Sequence, residues 1–421
     1  MRIVPWIILP LLLAVAPVVS QEPGEPMGQS SPFSQAKFVP DISLILDCSY
    51  LHRNLSDGQF AELYLPGFAS AEEDEPAGKG FNLNYAEITF FSIVDPYFEL
   101  FAVCHVSEHH FHLEEAYWTT KRFPTGLQLK AGKFLSSFGR INEQHAHYWD
   151  FADPPLINKA VFGGEGLNEI GARLTWVAPL DLYFMLGGEV LMGENENSFG
   201  RAGIQGASGA VNVTGVNGPG LFVGYCKASF DIDEAAVLLG VSGARGKTRQ
   251  DEGFSAGSGD GVALAGNSTV LGGDFTVKYL LDAIRYISLQ SEYLWRVTDA
   301  TMYTGAAPAL LERRPFDRHQ SGFYAQAVMK FGLRWRGGVR FDLIQQNDVV
   351  EGGVDSILPE GLPRLSAMVE FNPTEFSRIR LQYDYDRSKY RMENHVESRT
   401  NLHELSLQVN LAIGAHGAHS F

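Results

Sequence analysis

The sequence predicts an all-β fold: a transmembrane, antiparallel, up-and-down β-barrel of about 16 strands with no plug domain. Three observations carry this reading. Apolar and polar residues alternate with a period of two in segment after segment, the connections between those segments alternate short and long, and charges keep to one face of the strands. A period of two sets successive side chains on opposite faces of a strand. No helical period follows Ser20.

The last segment alternates most cleanly. Leu405, Leu407, Val409, Leu411 and Ile413 are apolar, and Ser406, Gln408, Asn410 and Ala412 stand between them. About nine such residues cross a bilayer when tilted. This is expected to be the closing strand, paired with the strand that begins near Asp41, its apolar half on lipid. Similar alternation runs through Ile170–Trp176, Ile287–Trp295, Phe323–Phe331, Val339–Leu343 and Ile379–Tyr385. Phe81 to Val94 and Phe111 to Thr120, with its adjacent Glu114 and Glu115, do not hold one phase, which suggests bulges.

Short connections carry turn formers: Asp95-Pro96, Pro124-Thr125-Gly126, Pro179-Leu180-Asp181, Asp231 to Glu234, Asp282-Ala283, Arg334 to Gly337 and Asn372 to Glu375. Long ones are His52 to Gly80, Gly139 to Asn168, Gly193 to Gly218, Gly246 to Asn267, Thr298 to Arg318, Asn347 to Glu360 and Lys389 to Glu397. Short periplasmic turns opposite long outer loops are the asymmetry of a membrane barrel. Aromatic belts are expected near the turns, at Tyr97, Phe98, Phe123, Trp176, Phe230, Trp335, Phe371 and Phe376. The opposite belt would hold Tyr50, Phe138, Trp295 and Tyr390.

At the start, Met1-Arg2 precedes a nearly continuous apolar run from Ile3 to Val19, with small residues before Gln21. Residues 1–20 read as a secretory signal peptide, 21–39 as a flexible Pro/Gly/Ser-rich segment and 40–421 as the barrel. Removing Arg2 with the signal moves the formal charge from −16 to −17, which disfavours nucleic acid as a partner. Cys48, Cys104 and Cys226 fall on separate strands, too far apart for a disulfide, and read as small apolar fillers.

The charged face holds Lys130, Arg173, Glu189, Asp274, Lys278, Glu292, Lys330, Arg340, Asp342, Arg378, Arg380 and Asp384. A charge on lipid at mid-depth costs roughly 2–4 kcal/mol, so these residues belong in the lumen. An aqueous lumen lined by both signs is a diffusion channel for small hydrophilic solutes or ions, with no charge preference legible; the alternative is that these charges pair with each other and fill the lumen, leaving a narrow or closed pore.

Gly132-Lys133-Phe134, Phe138-Gly139-Arg140-Ile141-Asn142, Gln144-His145-Ala146-His147 and Trp149 to Pro154, with the ending Ile413 to Phe421, resemble a family of bacterial outer-membrane barrels. Its members are often labelled zinc-regulated or TonB-dependent outer-membrane receptors and are porin-like in size. TonB-dependent receptors have 22 strands around a plug, for which Gln21 to Val39 is too short. The resemblance implies a Gram-negative outer-membrane location, contact with lipid and lipopolysaccharide, and delivery to the assembly machinery through the C-terminal strand. A homotrimer is among the implied states. In general porins the third outer loop narrows the lumen. By that resemblance Gly139 to Asn168 is the constriction, holding Arg140, Glu143, Asp150, Asp153 and Glu165, with Trp149, Phe151 and Phe162 on the wall and Gly163, Gly164 and Gly166 at the return.

His109, His110 and His112, with His145 and His147, read as neighbours on the outer rim. Such a set suits zinc or copper, and a zinc-linked uptake barrel is the alternative function. The simpler reading, solvated or hydrogen-bonded histidines with no metal or cofactor, is preferred. An outer-membrane barrel enzyme is the remaining alternative. His403 beside Glu404, and His105 near Glu108, lack a third catalytic member, and no enzyme is expected. Gly246-Lys247-Thr248 resembles the end of a phosphate loop, but the leading position is Val241 and no helix follows.

Overall fold

The computed structural model describes residues 40–414 except 69–76, 108–110, 122, 124, 196, 207–211, 253, 255–260, 306–311 and 394–395. The expected signal peptide, the N-terminal segment and Phe421 lie outside the described residues. Among the described residues no helix is long and apolar enough to cross a membrane.

Sixteen strands form a closed antiparallel barrel. They are β1 (Asp41–Arg53), β2 (Gly80–Ile93), β3 (Phe98–Val106), β4 (Phe111–Thr120), β5 (Leu127–Leu135), β6 (Asn168–Val177), β7 (Tyr183–Leu191) and β8 (Leu221–Ile232). The second half comprises β9 (Ala235–Glu252), β10 (Val262–Leu280), β11 (Tyr286–Thr304), β12 (Glu312–Lys330), β13 (Trp335–Glu351), β14 (Leu362–Thr374), β15 (Ser377–Asp386) and β16 (Leu402–Ile413). Each pairs with its sequence neighbour, and β16 pairs with β1 from Leu44↔Ile413 to Arg53↔Glu404. The seam is locked inside by Asp47, which accepts hydrogen bonds from Gln408 (2.9 Å) and Asn410 (3.0 Å).

The burial pattern inverts that of a water-soluble protein. On β16, Leu405, Leu407 and Leu411 are exposed while Ser406, Gln408 and Asn410 are buried. The same inversion runs around the barrel, which puts the apolar set on the lipid side and the polar set within. Tyr97, Phe98, Phe123, Trp176, Phe230, Trp335, Phe376, Tyr50 and Trp295 face outward. Phe138 and Tyr390 depart from the expected belt. Phe138 is wholly buried inside against Phe162, with ring centres 5.2 Å apart. Tyr390 pairs its backbone with Tyr64 across the outer loops.

Wall height is uneven. β3 to β7 have 9 or 10 residues, whereas β9 to β13 have 17 to 19. About 9–11 residues suffice to span, so the long strands continue beyond the bilayer. Much of the expected loops Gly246 to Asn267 and Thr298 to Arg318 is therefore strand. One face of these extensions carries a buried apolar cluster of Leu264, Met302, Phe316 and Val349, so an apolar face there does not mark lipid.

The irregular segments hold bulges. Asn84 of β2 has no Cα partner between Tyr85↔Asp47 and Leu83↔Cys48, and Glu114 of β4 has none between Glu115↔Val103 and Leu113↔Cys104. An extra residue re-aims its neighbours, and this one lets the consecutive Glu114 and Glu115 both engage the interior. Cys48, Cys104 and Cys226 are free thiols.

Candidate functional site

The connection from β5 to β6 folds into the barrel instead of standing above it. Gly139, at positive φ, opens it; any side chain there would overlap the Glu292 carboxylate. Gly166, also at positive φ, closes it beside Asn142, whose side chain accepts from Leu167 N at 2.6 Å. Between them lie a turn at Ala146–Tyr148 and a short helix at Leu156–Phe162.

One side of this loop is apolar. Phe138, Leu156, Ile157, Val161, Phe162 and Leu167 form a buried cluster with Tyr225, Val270, Leu294, Tyr324, Ile344 and Leu362 of the inner wall. The lumen is therefore not lined by polar groups throughout. These wall residues hold the polar phase of their strands: Leu294 stands between Glu292 and Arg296, and all three are buried. An apolar residue in polar phase was the signal for a loop seated inside.

The other side is held by charge. Asp153 pairs with Arg340 (2.9 Å) and Arg364 (2.6 Å), and Asp150 pairs with Arg336. Burial pushes the Asp153 carboxyl up, but the two guanidiniums outweigh it and hold it below the usual carboxylate range. Arg380 donates to Trp149 O at 2.8 Å, Leu156 N to Asp342 at 2.7 Å and Ile141 N to Glu292 at 2.8 Å. Lys227 reaches Gly139 O and Glu143 at 2.8 and 2.9 Å, and Glu143 also pairs with Arg140. Glu165 departs from the expected set: it is 63% exposed and pairs with His112 at 3.3 Å.

The residues expected in the lumen lie on the inner face, most of them in a paired lining, whereas both buried carboxylate oxygens of Asp274 lack a hydrogen-bond donor among the described residues. Arg340 bonds Asp342 (2.9 Å), and Arg378 and Arg380 approach Glu370 (3.9 and 2.8 Å). Glu189 accepts from Ser136 (2.6 Å) and Ser137 N (3.0 Å), with Arg173 at 4.0 Å. Lys130 lies over the Tyr117 ring and Lys278 over Tyr286. Asp384 accepts from Gln382 and Ser366, and Asp274 and Lys330 are buried on the same face. Arg336, Arg364 and Glu370 also belong to this lining and were not singled out from the sequence, although they share its phase. Beside the loop, along β1 and β14 to β16, a cavity of ≈ 700 Å³ remains, lined by Asp47, Arg53, Asp153, Arg364, Asp384 and Gln408 among others.

Of the five grouped histidines three are described, and His112, on Glu165 at 3.3 Å, has different carboxylate partners from His145 and His147. His109 and His110 lie outside the described residues. His147 is buried in the loop's turn and His145, just before it, is half-buried: His145 reaches Glu114 (3.1 Å) and Glu115 (2.9 Å), and His147 reaches Glu87 (3.0 Å). His105 joins them, 2.8 Å from Glu114 and 3.4 Å from Glu87. Burial disfavours the charged His145 imidazole, but hydrogen bonds to Glu114 and Glu115 outweigh it and raise its pKa well above the usual range. His403 and Glu404 point apart: His403 bonds the Tyr383 hydroxyl at 2.7 Å, and Glu404 pairs with Arg53 at 2.6 Å.

No family model matches the sequence. Over 402 residues it is 44% identical to an uncharacterized protein of Aquifex aeolicus (strain VF5), spanning 93% of this chain and 82% of that one. The chain belongs to the family of that protein. Among solved structures this barrel is similar to OmpT, an outer membrane protein of Vibrio cholerae (TM-score 0.51, 10% identity, 91% of this chain and 100% of that one). It is also similar to an anion-selective porin from Comamonas acidovorans (TM-score 0.50, 10% identity, 89% and 99%). At such identity the likeness speaks for the fold, a porin-like outer-membrane barrel. The TonB-dependent receptor label finds no support: the barrel has 16 strands rather than 22, with no plug among the described residues.

Proposed function

We propose that the protein is an outer-membrane channel through which small hydrophilic solutes or ions diffuse passively, with the loop that opens at Gly139 as its constriction. The supporting observation is that loop's position: it crosses a closed barrel with a charged inner face and leaves to one side a cavity lined by charged and apolar side chains together. A loop anchored to β8, β11, β13, β14 and β15 sets the width of the path. The role is non-enzymatic, and the outer face meets lipid and lipopolysaccharide. Delivery runs through a cleaved signal peptide at residues 1–20 and the assembly machinery's reading of β16. A homotrimer is proposed on the likeness to OmpT of Vibrio cholerae, one structure of which is described as a trimer form (TM-score 0.50). Planar-bilayer recording of the refolded barrel tests the channel. Discrete, ohmic conductance steps are expected; an electrically silent barrel that is demonstrably folded rejects the reading.

A further inference from the structure

The geometry points to a divalent transition-metal site of the zinc class inside the barrel, formed by Glu87 of β2, Glu114 of β4 and His145 of the inward loop. One ligand atom from each of these three lies within 4.8 Å of the others. Their spacing suits a small ion. Glu114 Oε2 is 3.1 Å from His145 Nδ1 and 2.8 Å from His105 Nε2, which is itself 3.4 Å from Glu87 Oε2. Zinc holds nitrogen and oxygen at about 2.0–2.2 Å, which sets adjacent donors of a tetrahedron roughly 3.3–3.6 Å apart. The 3.4 Å contact falls in that range, while those of 3.1 and 2.8 Å are hydrogen-bond distances below it, so these donors must move apart by a few tenths of an ångström to admit the ion with His105 as fourth donor.

A second feature is independent of that spacing. His145 turns its other nitrogen, Nε2, to Glu115 at 2.9 Å, and Glu115 in turn accepts from Leu135 N at 2.7 Å. A carboxylate behind a metal-binding imidazole fixes its tautomer and its aim, and is itself held by further hydrogen bonds. The bulge at Glu114 makes this possible, because it turns two consecutive carboxylates to one imidazole, one for each nitrogen. Among the described residues, Glu87, Glu114 and Glu115 have the imidazoles of His105, His145 and His147 as their partners within 4.0 Å, and a bound ion would replace that counter-charge. Imidazole and carboxylate together are the donor set of borderline ions such as zinc. The ion would join the wall to the loop, and its presence does not depend on the pore being open.

Zinc binding to the refolded full-length barrel tests this, read by metal content after gel filtration and by titration calorimetry. One zinc per barrel is expected. Glu114→Gln and His145→Ala should abolish retention, Glu115→Gln should weaken affinity about 10–100-fold, and a variant lacking His109, His110 and His112 should keep it. Heat-modifiable gel mobility reports folding in each case. No zinc in the wild type, equal retention in Glu114→Gln and His145→Ala, or loss only in the triple-histidine variant overturns the proposal. If a variant does not fold, anomalous scattering at the zinc edge from wild-type crystals decides. A peak among Glu87, Glu114 and His145 supports the site, and none there overturns it.

Discussion

Arg340 grips Asp153 at three points: Nη2 donates to both carboxylate oxygens, at 2.9 and 3.0 Å, and Nη1 to the backbone carbonyl at 2.8 Å. The wall thereby fixes both the side chain and the course of the loop. Asp153→Asn removes the charge and leaves Arg340 and Arg364 facing a neutral amide. Breaking a fully buried pair costs about 3–5 kcal/mol; Asp153 keeps 32% exposure, so a smaller loss is expected. The predicted result is a wider, noisier pore, seen as higher single-channel conductance with retained gel mobility.

The same contact sets a pH dependence. The folded Asp153 carboxyl titrates below its unfolded counterpart because two guanidiniums face it. Its contribution is therefore complete above the unfolded value of about 3.9 and is lost as pH falls through the lower folded value. The temperature at which wild-type gel mobility changes should not respond to Asp153 between pH 8 and pH 5. Below about pH 4 the gap between wild type and Asp153→Asn should close. A gap that already narrows between pH 7 and pH 5 would contradict this assignment.

How far this was legible in the sequence follows from what alternation can report. Period two gave the lipid face of β16 and its pairing with β1, since one face meets lipid and the other does not. It could not report the long reaches of β9 to β13 beyond the membrane. The inner apolar seat was readable at Leu294, in polar phase between Glu292 and Arg296, but only as an exception. The His105 cluster was not readable. Its partners Glu87, Glu114 and His145 come from two other strands and a loop, and only folding brings them together.

The apolar seat makes its own prediction. Ile157 is fully buried on the loop's short helix. Ile157→Asp would bury an unpaired charge, so the helix should leave its seat. Conductance should rise, and a protease should cut within 156–162 in the variant but not in the wild type.

Lipid-facing positions behave differently. Leu407→Arg, on the outer face of β16, should destabilise the folded barrel by roughly 2–4 kcal/mol if it lies at mid-depth. Urea unfolding in lipid vesicles measures this, with Leu407→Val as a near-neutral reference.

Export adds a mass prediction. The membrane-inserted protein should begin at Gln21, and intact-mass spectrometry would show the loss of residues 1–20. A full-length mass would retain the apolar start as an anchor.

The Asp47 lock joins residues 361 and 363 positions apart along the chain. This orders the molecule's assembly. One edge of β1 stays bare until the last strand docks, and a bare strand edge invites pairing with other chains. Closing the seam therefore removes the barrel's last free edge.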